Sequence, residues 1–287
     1  MNWWYAFLDV ILPMEWLEPV FMKNAFMAIL LAAPLFGGTG SFVVSNKMAF
    51  FSDAIGHSVL TGIALGMILG IDNPVISMVA FSLLLGFLII TVKTKTKTSA
   101  DSITGVFSAT ASALGIVLLS STGNFSKYQK YLIGDILSIK PQEILLLATA
   151  MGATLIVWTL LYNKMLLANL HRTFAQSRGI RVFAVEQIFS LLTAFVVTIS
   201  IEWTGLLMMN ALLVLPAATA RLASRSSKTY LLLSVLISLV SSIAGLALSF
   251  YVGSASGATI VLVCALLFLL FFFIKILATK FKLINKK

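Results

Sequence analysis

The chain has 287 residues, of which 60% are hydrophobic and 10% charged, and its formal net charge is +10. A soluble domain carries about a quarter of its residues as charges, so this composition excludes a water-soluble catalytic domain and leaves an all-α, polytopic membrane protein. The single cysteine, Cys264, lies in an apolar run; it excludes an intramolecular disulfide and reads as a small packing residue.

In chain order, residues 1–23 begin without the basic stretch of a cleavable signal peptide and interleave aromatic residues with Asp9, Glu15 and Glu18. This reads as an amphipathic segment on the membrane surface, with its tryptophans at headgroup level. Nine apolar runs of about 20 residues, the length that crosses a bilayer, then follow. They are 24–45, 48–71, 74–92, 102–121, 144–163, 183–201, 205–222, 229–251 and 257–276. Together they form a single transmembrane domain over 1–287. Segment 122–143 has polar ends around a short apolar piece, and reads as an external surface helix or a dip into the membrane.

Nine crossings put the two ends on opposite sides. Cytoplasmic loops carry the excess of lysine and arginine, which gives an independent test. With the carboxyl end inside and the amino end outside, only Lys23, Lys127, Lys130 and Lys140 of the twenty basic residues fall outside. The net positive charge then follows from topology and anionic lipid, and no nucleic-acid partner is needed. One inner loop differs from the rest. Residues 164–182 are long and basic; Leu166, Leu167, Leu170, Phe174 and Ser177 recur at near-helical spacing before Gly179 breaks the pattern. That is an amphipathic helix on the inner face, serving either as a membrane-surface element or as a docking element for a cytoplasmic partner.

Ionisable groups inside the membrane are costly unless paired or hydrated. Asp53 and His57 stand in the second span, and Glu186 near the cytoplasmic start of the sixth. Glu202 lies at an outer end, where solvation is easy. The i,i+4 spacing of Asp53 and His57 puts carboxylate and imidazole on one helical face, among the small residues Ser52, Ala54, Gly56, Ser58, Thr61 and Gly62. Three readings stay open: a structural pair, a proton relay, or part of a site for a first-row divalent ion, which suits nitrogen and oxygen donors. Two ligands are too few for a closed site, but a second copy facing the first would double them. Glu186 and Asn210 are candidates for a second stretch of the pathway.

Residues 37–66, GGTGSFVVSNKMAFFSDAIGHSVLTGIALG, resemble the signature region of the permease subunits of bacterial zinc/manganese ABC importers. There a glycine-rich span end precedes a phenylalanine-valine-valine run and an aspartate-alanine-x-x-histidine-x-valine-leucine motif. The likeness continues in DSITGVFSATASALGIVLLS (101–120), YLIGDILSI (131–139), GLLMMNALLVLPAATARLAS (205–224) and SGATIVLV (256–263), in the same order. Thr61 departs from the family's usual proline, which implies a weaker kink in the second span. Asn46-Lys47 replaces a commoner arginine-rich pair, and Gly56 and Ser58 exchange small residues for small ones.

The resemblance implies a transport subunit rather than an enzyme, carrying zinc or manganese as cargo along a path that includes Asp53 and His57. It places the coupling helix in 164–182, with Arg172, Phe174, Ala175 and Gly179 as contacts for separate cytoplasmic ATPase subunits. A second permease chain, identical or homologous, completes the pore, and an extracellular metal-binding protein delivers the ion. No G-x-x-x-x-G-K-[ST] sequence occurs in the chain, so ATP hydrolysis is expected in the partner. A permease for a siderophore or cobalamin gives the Asp53/His57 pair no role. An ion-coupled secondary carrier predicts an internal repeat, which the two halves do not display.

Overall fold

The computed structural model describes residues 2–11, 13–96, 98–123, 128 and 130–284. Lys97, Lys127, Lys286 and Lys287, counted above in the charge balance, lie outside them. Among the described residues all regular structure is helical. In order the helices are α1 (Asn2–Ile11), α2 (Val20–Ser45), α3 (Ala49–Ile68), α4 (Pro74–Lys95), α5 (Ala100–Ser121) and the single turn α6 (Lys130–Ile133). There follow α7 (Pro141–Leu170), α8 (Arg172–Ser177), α9 (Val182–Ala223), α10 (Ser227–Val252) and α11 (Ser256–Ile284). Short 3-10 turns occupy Glu15–Leu17 and Ile136–Ser138.

Eight of these helices are long and apolar enough to cross a bilayer. Their starts are written locally. Asn73 caps α4, its side chain accepting from the Val75 N–H at 3.0 Å, with Pro74 at the first helical position. Ser99 and Ser226 cap α5 and α10 in the same way. Lys93 and Lys95 occupy the last turn of α4, where the helix dipole favours a cation.

The chain divides into two compact units. The first comprises residues 1–44, 133–147 and 203–287; the second comprises 45–132 and 148–202. In the first unit, α2 lies against the second half of α9 so closely that a Cβ at Gly40 would run into the Leu213 backbone. Small residues permit this approach where no hydrophobic force drives helices together in lipid. One turn earlier on α2, the Ser234 hydroxyl of α10 donates to the Gly37 carbonyl at 2.6 Å. Cys264 of α11 is buried and reaches Ser241 of α10 at 3.0 Å, in keeping with a packing role. In the second unit, α3 packs between α4 and α5. Ser58 and Ser82 are hydrogen-bonded across α3 and α4 at 3.2 Å.

Several expectations change in detail. The amino-terminal helix forms, but Trp4 and Trp16 are buried, not displayed at a headgroup level. Both rings pack on Phe26 of α2, and the Trp4 indole N–H donates to the Lys23 carbonyl at 3.3 Å. The Lys23 carbonyl and Phe26 hold the Trp4 indole inside, and the Met14 sulfur, which accepts from the Trp16 indole N–H at 3.3 Å, serves Trp16 in the same way.

The sixth and seventh runs are not separated by a loop at 202–204. Both belong to the 42-residue α9, interrupted at Gly205, whose φ of 66° and ψ of 169° are not helical. A straight helix of that length would extend about 63 Å, twice the roughly 30 Å hydrocarbon core. The glycine therefore divides it into two span-length pieces. Gly134, also at positive φ, packs directly on the Thr204–Gly205 backbone. That contact explains why the short segment 131–139 carries a glycine.

Within 122–143, Lys130–Ile133 is a single helical turn and Ile136–Ser138 a 3-10 turn before α7 begins, each too short to cross a membrane. The inner loop is also shorter than expected. The fifth span continues as helix to Leu170, so Leu166 and Leu167 belong to α7 and not to one amphipathic helix with Phe174. Extended backbone at His171 (φ −147°, ψ 93°) ends that helix and lets α8 start anew.

Candidate metal-transport site

The site is built on α3. Every residue from Phe51 to Ala64 is buried except Asp53 and His57. Their side chains keep 41% and 34% of their accessible surface, and His57 Nε2 lies 3.7 Å from Asp53 Oδ1. Thus the small and apolar residues of α3 serve packing within the chain, and its one ionisable edge is left uncovered.

The separation is informative. It exceeds a hydrogen bond, so the carboxylate does not hold that imidazole nitrogen. Two metal–ligand bonds of about 2.0–2.2 Å each can span it. Among the described residues no group of three or more His, Cys, Asp or Glu side chains gathers in a metal-binding cluster. Asp53 and His57 thus place one carboxylate and one imidazole on the same edge of α3, with no third such side chain gathered beside them among the described residues.

Thr61 stands one turn beyond His57. α3 runs through it without a break, and its hydroxyl donates to the Ala111 carbonyl of α5. Where a proline would remove a backbone donor, the threonine adds a tie to the neighbouring helix.

The second group of expected residues also comes together. Of residues 171–179 only Ala175 is buried; Arg172, Phe174, Arg178 and Gly179 are exposed. Arg178 lies over the Phe174 ring at 5.1 Å, a cation–π contact that displays the ring instead of burying it. Ala175 fastens the segment while Phe174 projects from it. Gly179, at φ 75°, closes α8: its N–H donates to the Gln176 carbonyl at 2.9 Å, and the Ile180 N–H to the Ala175 carbonyl at 3.1 Å. These two bonds make a Schellman motif, for which the left-handed residue is usually glycine.

Glu186 is brought to Arg172, with Oε1 at 3.3 Å from Nη1. Asn210 lies on the second half of α9, in the first unit, next to the buried Met208, Met209, Leu212 and Leu213. The structure adds two residues that the sequence reading did not select, Gln187 and Ser190. Gln187 Nε2 donates to the Phe87 carbonyl at 3.3 Å, and the Ser190 hydroxyl reaches the Gly86 carbonyl of α4 at 3.5 Å. A polar i,i+3 pair immediately after an intramembrane glutamate was the available signal.

A family model described as the ABC 3 transport family matches residues 18–275. The chain belongs to that family. It is 33% identical over 247 residues to the high-affinity zinc uptake system membrane protein ZnuB of Haemophilus influenzae, covering 85% of this chain and 92% of that one. It is 32% identical over 254 residues to the manganese import system permease protein ScaB of Streptococcus parasanguinis, covering 88% and 90%. Among solved structures it is similar to PsaBC from Streptococcus pneumoniae in complex with Fab. The TM-score is 0.78 at 26% identity, and 95% of each chain is covered. The ABC 3 fold and the α3 pair thus coincide in one chain.

Proposed function

We propose that this protein is the permease subunit of an ATP-driven importer of divalent transition metal ions, zinc or manganese, in the bacterial cytoplasmic membrane. The observation that carries the reading is the partial exposure of Asp53 and His57 within the otherwise buried stretch 51–64 of a transmembrane helix. An ionisable pair facing lipid would cost several kcal/mol, so the uncovered edge of α3 is read as facing water and cargo. Membership of the ABC 3 family and the zinc and manganese systems among the relatives support the same conclusion.

In this reading two permease chains set their α3 edges toward a shared path, and each supplies a carboxylate and an imidazole. The four donors offset the dehydration of the ion as it enters. Partial coordination then lets the ion leave. An extracellular binding protein delivers the ion. Two ATPase subunits bind the cytoplasmic segment 164–182, with Phe174 as the projecting contact. ATP biases inward- and outward-facing arrangements only through contacts that differ between them. The amino end lies outside and the carboxyl end inside, with the basic loops at the anionic inner leaflet.

The test is the metal content of cells lacking this chain, measured for zinc, manganese and iron together, with complementation by wild-type and His57→Ala genes. A deficit confined to zinc or manganese, restored by the wild-type gene alone, is expected. Unchanged metal content in the deletion strain under metal limitation overturns the proposal.

A further inference from the structure

Arg172 opens α8, the segment read above as the ATPase contact, and Glu186 sits one turn into α9. The two side chains are unequally placed: Arg172 keeps 52% of its surface and Glu186 only 16%. An ion pair between two exposed groups contributes little. Here the carboxylate is largely enclosed, in a recess lined by Asn46, Met48, Met165, Asn169, Val185 and Phe189, and Arg172 brings the positive charge to it. Its second oxygen, Oε2, is buried and has no hydrogen-bond partner among the described residues. The guanidinium fork favours two parallel bonds to a carboxylate, so a small advance of α8 that brings the fork onto both oxygens is favourable for the pair.

Beyond Glu186, two hydrogen bonds and close packing lead from α9 through α4 to the α3 residues beside Asp53, all within the second unit. Gln187 and Ser190, on the following turn of α9, bond to the Phe87 and Gly86 carbonyls of α4. A methyl group built at Gly86 would lie 3.3 Å from the Phe51 ring and 3.7 Å from Ile55 of α3, and 3.5 Å from Ala194 of α9. The α4 backbone is thus held between α9 and the two α3 residues that flank Asp53. Tight packing of this kind transmits displacement because it does not deform continuously.

We infer that the Arg172–Glu186 ion pair is the joint through which movement of α8 reaches the helix bearing Asp53 and His57. Glu186 is then a positioning residue for transport and not a stop on the ion's path. The inference rests on the reading of 164–182 as the ATPase contact. A contiguous route is not by itself proof of coupling, so the test measures coupling directly.

The complex of this chain with its ATPase is purified and reconstituted in liposomes as wild type, Arg172→Gln, Glu186→Gln and the double variant. Zinc or manganese moved per ATP hydrolysed is read for each, together with ATPase retained on purification. Glu186→Gln should lower the metal-to-ATP ratio several-fold while retaining the ATPase, and Arg172→Gln should lower that ratio at least as far. The double variant should be no worse than the more affected single, because the second change removes an interaction already lost. Losses that multiply in the double variant, or a wild-type ratio in either single, overturn the inference. If Arg172→Gln releases the ATPase while Glu186→Gln keeps both ATPase and ratio, Arg172 is a docking contact only; the joint is refuted and the docking reading stands. If Phe174→Ala and the other α8 variants all retain the ATPase and a normal ratio, the docking reading itself fails. The ratio is taken per assembled complex, and Arg172, being exposed, carries the test should Glu186→Gln assemble poorly.

Discussion

His57 Nε2 stands 3.7 Å from Asp53 Oδ1 on the one edge of α3 that the rest of the chain leaves uncovered. A pair retained for stability would be expected at hydrogen-bonding distance and under cover. Removing one partner of such a pair leaves a buried charge and costs roughly 3–5 kcal/mol. A pair facing water leaves its remaining member solvated. His57→Ala and Asp53→Ala should therefore keep normal membrane abundance, while metal uptake falls by at least about tenfold, the equivalent of about 1.4 kcal/mol of lost coordination. Immunoblots of membrane fractions and uptake of labelled metal in the same cells separate the two cases. Loss of abundance in parallel with uptake would point to a structural pair.

A closer ion pair has the opposite character. Lys23 Nζ lies 2.6 Å from Asp9 Oδ1, with 8% and 59% of the side chains exposed. It ties α1 to the first turn of α2, beside the Tyr5–Asn24 hydrogen bond of 2.8 Å. Asp9→Asn leaves a covered ammonium without its counter-charge and should destabilise the purified protein by about 1–3 kcal/mol, discounted from the fully buried case because Asp9 is open to solvent. Lys23→Met keeps the length of the stem without the charge and should cost less. Thermal unfolding in detergent, followed by intrinsic tryptophan fluorescence, reports both. The opposite order would show that the charge on Lys23 has another partner.

Much of this was legible from the residues alone. Span-length apolar runs leave few structural choices in a bilayer, so α2 to α5 and α10 to α11 fall close to where hydropathy puts them. Asp53 and His57 stood out because ionisable groups are rare inside spans and their spacing fixes a shared face. The Arg172–Glu186 contact was hidden, because it depends on how the chain bends at His171 and again after Gly179. The inward turn of Trp4 and Trp16 was hidden for a similar reason. Composition shows an indole suited to an interface, whereas the position of Phe26 and the Lys23 carbonyl decides which side it takes. The break in α9 was placed within a few residues, but its concentration in Gly205 became clear only from the backbone angles and the packing of Gly134.

Gly40 offers a test of the first unit that is independent of transport chemistry. A Cβ there would overlap the Leu213 main chain, not a flexible side-chain tip. Overpacking of that kind typically costs about 1–3 kcal/mol, and backbone contact leaves little room for relaxation. Gly40→Ala should lower membrane abundance or thermal stability measurably, and Gly40→Val should lower it further. Monodispersity by size-exclusion chromatography checks this. Wild-type stability of both variants would mean that α2 and α9 are not in such close contact.

Gly179 tests the α8 segment with the least disturbance elsewhere. Its φ of 75° is in the left-handed region, yet a Cβ built there meets nothing within 4 Å. Substitution therefore strains the backbone without colliding with a neighbour. For ordinary residues the left-handed conformation costs about 1–2 kcal/mol, whereas asparagine adopts it more readily. Gly179→Asn should preserve the Schellman bonds and behave nearly as wild type. Gly179→Val, β-branched, should break them and redirect the chain between α8 and α9, displacing Phe174 and Arg172 from the positions proposed above for contact with the ATPase. The expected result is several-fold less metal moved per ATP in the valine variant, with normal membrane abundance and weaker co-purification of the ATPase. Comparison of the two substitutions separates backbone path from loss of glycine as such. Equal, near-wild-type transport by both would show that the conformation of this segment is not what couples hydrolysis to the spans.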